Sequence, residues 1–246
     1  MATYFIGDLH LALPDGSGGA ADQLLAQFEQ FCRACDSDAE ALYILGDLFD
    51  AWIGDDAGVT AYQPVVAALS QLSVPVFLLH GNRDFLIDQP FCDASGVQLL
   101  SDPITITCGG ETVVICHGDQ LCTDDHDYQQ MRTVTRHPQW RNEFLQQSID
   151  QRIKQAASYR KISQESTQEK SAIIMDANDA AVVEVLEQHR CLTMIHGHTH
   201  RPARHSHPTC QGTATRWVVG SWQQGAEILR WDDSGASLIP LTEYLQ

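Results

Sequence analysis

Five short polar motifs, each placed directly after an apolar, strand-like run, constrain this chain more than any other feature. The runs cover residues 4–6, 41–45, 76–79, 113–116 and 192–195. The motifs that follow them are D-x-H at Asp8 and His10, G-D at Gly46 and Asp47, G-N-R-D at 81–84, H-G-D at 117–119 and G-H-T-H at 197–200. Short apolar runs closed by Gly, Asp and His read as buried strands. Helical periodicity at 22–35, 65–72 and 179–189 makes the chain α/β. In open α/β sheets the loops at the carboxyl ends of the strands share one crevice, so loops nearly 190 residues apart in sequence can meet.

The remaining pattern adds a second sheet and an insertion. Residues 104–116, broken by Gly109 and Gly110, read as a hairpin, and 216–220, 227–231 and 237–241 read as late strands. Two sheets face to face with helices outside give a four-layer α-β-β-α sandwich. Between 124 and 171 the strand pattern stops, and Trp140, Phe144, Leu145, Ile149 and Ile153 mark one face of a helix. The expected organisation is a core of residues 1–123 and 172–246 with an inserted helical lobe, 124–171, over the site. A chain of 246 residues is long enough to bury such a core.

The motifs combine hard carboxylate oxygens, an amide oxygen and imidazole nitrogens, a donor mix suited to paired divalent first-row metals. Asp8 and His10, two apart, share a face if their strand continues, and can bind one ion together. Asp47 has lone pairs enough to bridge two cations. Asn82, His117 and His198 can complete a second ion's shell, with His200 returning to the first. Two divalent ions against the carboxylates of Asp8 and Asp47 leave a charge of about +2 for hydroxide and phosphate oxygens, which points to phosphoryl hydrolysis without a covalent enzyme intermediate. His80, Asp84, Asp119 and His196 read as residues that orient the ligands.

Charge and composition narrow the partners. A formal net charge of −17 argues against nucleic acid, whose nonspecific binding depends on lysine and arginine. The segment 126–175 is locally cationic, with eight of the fifteen basic residues against five carboxylates. Eight irregularly spaced cysteines fit a reducing compartment, and Cys32 with Cys35 reads as part of a helix rather than a metal or redox pair. The N-terminus has no secretory signal pattern, and no apolar run approaches the roughly 20 residues of a spanning helix.

With these motifs in place the chain resembles the calcineurin-like metallophosphoesterases over nearly its whole length. The strings ALYILGDLFDAWIGDD, HGNRDFL, HGDQLCTDD, KSAIIMDAN and IHGHTHRPA are similar to those of the UDP-2,3-diacylglucosamine hydrolase family of lipid A biosynthesis. The resemblance implies water attack at the α-phosphorus of UDP-2,3-diacylglucosamine, giving UMP and 2,3-diacylglucosamine 1-phosphate. It implies two Mn²⁺ per chain, one held by Asp8, His10, Asp47 and His200, the other by Asp47, Asn82, His117 and His198. It further implies that Asp47, Asn82, Arg83 and His117 serve catalysis. Substrate contacts would come from Asn82, Arg83, Asp125, Ser163, Thr167, Lys170 and His198, although relatives carry Asn at the position of Thr167. The implied location is the cytoplasmic face of the inner membrane, with the lobe covering acyl chains and its basic residues meeting an anionic surface.

Arg83 bears on the substrate independently. Where many relatives carry His, which can protonate a departing alkoxide, an arginine clamps phosphate but cannot donate a proton. Such a site suits a leaving group already stable as an anion, unless His80 supplies the acid. The competing expectations are another nucleotide or dinucleotide hydrolase of the same fold, and a scaffold that keeps the fold without the chemistry.

Overall fold

The alternation within β1 (Ala2–Ile6) shows how the layers form: Tyr4 and Ile6 join one buried cluster and Phe5, between them, joins another. This is the period-two pattern of a strand buried on both faces. In a computed structural model of the chain, which describes residues 1–13, 16–169 and 174–246 and omits the side chains of 162–169 and 224, further strands follow. They are β2 (Ala39–Ile44), β3 (Val76–Leu78), β4 (Gln98–Leu99), β5 (Ile104–Cys108), β6 (Glu111–Cys116), β7 (Thr193–His196), β8 (Ala203–Thr209), β9 (Gly212–Val218), β10 (Glu227–Asp232) and β11 (Gly235–Pro240).

One sheet has the order β11-β10-β1-β2-β3-β4 and the other β5-β6-β7-β9-β8. Phe5, Leu45, Leu229, Val113, Ile115 and Ile195 fill the space between them. The outer face of the first sheet packs Tyr4, Ile6, Leu42 and Ile44 against Phe28 and Phe31 of α1 (Ala20–Asp38) and against helices α2 (Asp55–Ala61), α3 (Gln63–Ser70) and α4 (Gln89–Ser95). Each such large apolar side chain, fully buried, contributes about 1.5–3 kcal/mol. The expected four-layer α-β-β-α sandwich is therefore the observed one, the last layer being α8 below.

The segment expected to be an inserted lobe contains α5 (His126–Thr135), α6 (Pro138–Leu145) and α7 (Ile149–Glu169), and α8 (Asp179–His189) then covers the second sheet through Val182 and Leu186. The five apolar residues read as one helix face do not lie on one helix. Ser148 starts a new one: its backbone N–H donates to Gln151 Oε1 (3.0 Å) and its Oγ accepts from the Gln151 N–H (3.4 Å), a reciprocal capping box. Phe144 is buried and stacks on Trp140 with ring centroids 5.0 Å apart, whereas Ile149 and Ile153 are 43% and 51% exposed.

Helix α7 is fixed to the core by arginines. Arg152, buried, donates to the Ile53 carbonyl (2.6 Å) and to both carboxylate oxygens of Asp56, and Arg160 pairs with Asp50 at 2.6 Å. Arg152 thus faces the protein, which corrects its reading as part of a basic surface, while Arg160 is paired but partly exposed. Among the described residues no helix is long and apolar enough to cross a membrane.

Candidate metal centre

Parallel pairing of β1 with β2 continues past the ends of both strands. The backbone N–H groups of Asp8, His10 and Leu11 donate to the carbonyls of Gly46 (3.1 Å), Asp47 (3.0 Å) and Leu48 (2.9 Å), so the D-x-H and G-D loops run side by side. The strand itself stops at Ile6, and Asp8 and His10 adopt left-handed backbone with φ of 53° and 49°. Their side chains converge through this loop geometry, not through the strand pleat expected from their spacing. Asp47, His198 and His200 are left-handed too, at φ of 52°, 67° and 56°. A non-glycine residue costs roughly 1–3 kcal/mol in such a conformation, and strain of this kind concentrates where function demands it.

The loop of the second sheet closes on the first. The His198 N–H donates to Asp8 Oδ2 at 2.7 Å, and His200 Nε2 lies 3.4 Å from Asp8 Oδ1 and 3.1 Å from His10 Nε2. Asn82 Oδ1 faces His117 Nε2 at 3.1 Å and His198 Nδ1 at 3.0 Å. Asp47 Oδ2 is 3.7 Å from His10 Nδ1, and its Oδ1 is 3.9 Å from His117 Nε2 and accepts the Arg83 N–H at 2.7 Å. All seven side chains named as ligands from sequence meet at this place. Donor atoms of Asp8, His10 and His200, and of Asp8, Asp47 and His117, lie within 4.8 Å of one another.

The donor set fits divalent metal. Asp8 and Asp47 are buried, and among the described residues no lysine or arginine side chain pairs with either. Asp8 Oδ1 is buried without a hydrogen-bond partner. Buried carboxylates of this kind require a compensating positive charge. Burial alone would push His117 down, but Asp47, Asp119 and Asp8 outweigh it and lift its pKa to about 9, the same demand for charge seen from the imidazole. Desolvation and the neighbouring His117 lower the half-buried His198 to about 4, so it keeps a nitrogen lone pair.

Of the residues expected to orient the ligands, Asp84 ties two donor loops together, whereas the bonds of His80 and His196 go to other groups. Asp84 Oδ2 accepts the backbone N–H groups of Leu48 (2.7 Å) and Phe49 (3.3 Å) while its Oδ1 accepts that of Gly81 (2.8 Å), joining the second and third loops. A Cβ on Gly81 would stand 2.1 Å from Asp47 N and Oδ1, so only glycine fits. His80 Nε2 sits 2.8 Å from the Ile87 carbonyl. His196 Nδ1 lies 2.8 Å from the Gly197 carbonyl, and its Nε2 faces Arg216 at 3.0 Å. Buried Arg216 went unread because a lone arginine in a strand carries no signal of its role. The four-residue step Tyr128, Arg132, Arg136, on α5 and its C-cap, was a signal for one helix face, but that this face turns to Asp119 is set by the fold.

Beside the donors opens a cleft lined by Asn82, Arg83, Phe85, Met131, Arg136 and Trp140, among others. Asp125 is buried, and its side chain accepts from the Tyr128 N–H at 3.1 Å, capping α5. Ser163 and Thr167 belong to α7, but their side chains, and Lys170 altogether, lie outside the described residues.

The calcineurin-like phosphoesterase family model matches residues 1–202. A UDP-2,3-diacylglucosamine hydrolase of Pectobacterium carotovorum is 42% identical over 97% of this chain and 98% of its own length. One of Yersinia enterocolitica is 43% identical over 94% and 95%, and one of Aromatoleum aromaticum is 40% identical over 96% and 95%. A solved archaeal phosphodiesterase, 11% identical, shares the fold with a TM-score of 0.51 over 98% of this chain and 99% of that one. Matched along nearly its full length, the chain belongs to the calcineurin-like phosphoesterase family and, within it, to the family of UDP-2,3-diacylglucosamine hydrolases.

Proposed function

We propose that this protein hydrolyses the diphosphate of UDP-2,3-diacylglucosamine by water attack at the α-phosphorus, releasing UMP and 2,3-diacylglucosamine 1-phosphate in lipid A biosynthesis. The observation that carries the reading is identity of 40–43% with hydrolases of that name, spread over 94–97% of the chain. Asp8, His10, Asp47 and His200 would hold one Mn²⁺, and Asp47, Asn82, His117 and His198 the other. Two such ions, when bound, lower the pKa of water and neutralise phosphate oxygens during an in-line displacement.

The chain's own groups do the positioning. Arg83 lies beside Asn82 in the cleft and would clamp a phosphate with its guanidinium. The departing sugar phosphate is stable as an anion, so no proton donor is needed for it. His80, the alternative acid, has its Nε2 engaged by the Ile87 carbonyl. The cleft suits an amphiphile: Trp52, Phe85, Met131, Trp140 and Phe144 offer apolar wall beside Arg83 and Arg160. Asn82, Arg83, Asp125, Ser163, Thr167, Lys170 and His198 remain the proposed substrate contacts, and residues 124–171 the lobe that covers the acyl chains. Attachment to an anionic inner-membrane surface on its cytoplasmic side would use exposed Lys154, Ile149 and Ile153 of α7.

Incubation of the manganese-loaded protein with UDP-2,3-diacylglucosamine in oxygen-18 water tests the reaction. Label is expected in UMP; label in the sugar phosphate instead, or no cleavage, overturns it.

A further inference from the structure

One oxygen gathers three donors from a helix and its C-cap. Asp119 Oδ2 accepts from Tyr128 Oη (2.7 Å) and Arg132 Nε (2.8 Å) of α5 and from Arg136 (3.5 Å), the residue that caps its C-terminus, each four residues after the last. Asp119 is fully buried and stands two residues after His117. The same Arg136 nitrogen donates to the Gly81 carbonyl at 2.8 Å, immediately before Asn82, and its guanidinium lies 4.6 Å above the Phe85 ring in the cleft wall. Gln129 adds bonds from α5 to the Asp119 carbonyl (2.8 Å) and the Cys122 carbonyl (3.1 Å). One face of the lobe's first helix is thus bonded to the two loops that carry Asn82 and His117.

We propose that Arg136 and Asp119 are positioning residues that couple the lobe to the metal centre, so that metal binding and lobe closure over a ligand are cooperative. The inference rests on the metal reading above but not on the identity of the substrate. A metal ion that fixes Asn82 and His117 fixes their neighbours Gly81 and Asp119, and Arg136 carries that constraint into α5. Linkage requires the reverse as well: a ligand that holds the lobe must tighten metal binding by the same factor. The Arg136 guanidinium suits the task because its planar, always-charged fork can serve the Asp119 carboxylate and the Gly81 carbonyl together.

Calorimetric titration with manganese, combined with amide exchange of peptides in 126–145, tests this in the full-length protein. Manganese is expected to slow exchange in α5 and α6 of the wild type. In Arg136→Met it should bind at least about 5-fold more weakly and leave lobe exchange unresponsive. Should that variant fail to fold, Arg136→Lys keeps the charge with a shorter reach and should shift both readouts in the same direction. Wild-type manganese affinity in the variants, or lobe exchange indifferent to bound manganese in the wild type, overturns the coupling alone. A wild-type protein that binds no manganese overturns the proposed function and the coupling together.

Discussion

His117 Nδ1 lies 2.8 Å from the Leu45 carbonyl, and this contact commits that nitrogen to donation and turns Nε2 toward Asp47 and Asn82. A ring oriented through its far nitrogen is how proteins prepare a metal-binding histidine. Manganese should therefore raise the melting temperature over the EDTA-treated protein. At 100 times its dissociation constant the gain is about 2.7 kcal/mol, or roughly 5–10 °C for a chain of this size. His117→Ala should lose most of that rise, bind one manganese fewer by atomic absorption, and lose more than the roughly 10–100-fold that loss of a supporting partner costs.

Gly81→Ala should damage the centre without removing a donor atom. The added methyl would meet Asp47 N and Oδ1 at 2.1 Å, backbone and ligand together, with no flexible group to yield. Overpacking of this kind costs about 1–3 kcal/mol. A thermal melt should show lower stability, and a manganese titration weaker binding; a variant unchanged in both would contradict the packing.

The Arg152–Asp56 pair predicts an acid-sensitive dock. Hydrogen bonds from Arg152 hold the Asp56 carboxyl below its usual 3.8. A depressed folded pKa contributes stability that is present above 3.8 and is lost as pH falls through the lower, folded value. Amide exchange in α7, corrected for intrinsic rate, should accelerate below that pH. Arg152→Met should accelerate it already at neutral pH, by roughly fivefold for a contact of about 1 kcal/mol with one exposed partner.

Arg83→His tests the leaving group. The variant should keep its manganese yet gain nothing on alkyl phosphodiesters relative to diphosphates. A gain there, measured as a ratio of kcat/KM values, would remove the argument that the site lacks an acid because its leaving group needs none.

Surface attachment through α7 predicts that Ile149→Ser, Ile153→Ser and Lys154→Ser together weaken retention on vesicles containing anionic phospholipid, by about 1 kcal/mol for the charge alone. Equal sedimentation of variant and wild type with such vesicles would refute attachment by this face.

By itself the sequence determined the strands that carry the donors, because apolar runs closing on Gly, Asp or His are local patterns. It also pointed to a second sheet through the hairpin pattern at 104–116, although the late runs at 227–231 and 237–241 join the first sheet as β10 and β11. Strand β8 was not legible: ARHSHPT is an edge strand with alternating exposure, two histidines and a proline. The two-residue β4 and seven-residue α2 and α4 are too short for periodicity. The break before α7 was legible as Ser148 and Gln151, but the apolar spacing across it pointed to one helix.

Only the tertiary structure decided how the donors meet. The left-handed turns at Asp8, His10, Asp47, His198 and His200 are unfavourable in isolation, and they stand here among contacts made between elements distant in sequence. The bond from the His198 N–H to Asp8 Oδ2, 190 residues apart, is one such contact, and the three bonds gathered by Asp84 are others. Burial likewise turned Arg152 from a surface charge into an anchor of α7, and pairing with Asp50 ties down the partly exposed Arg160, because charge is written in the sequence but the partner that neutralises it is set by packing.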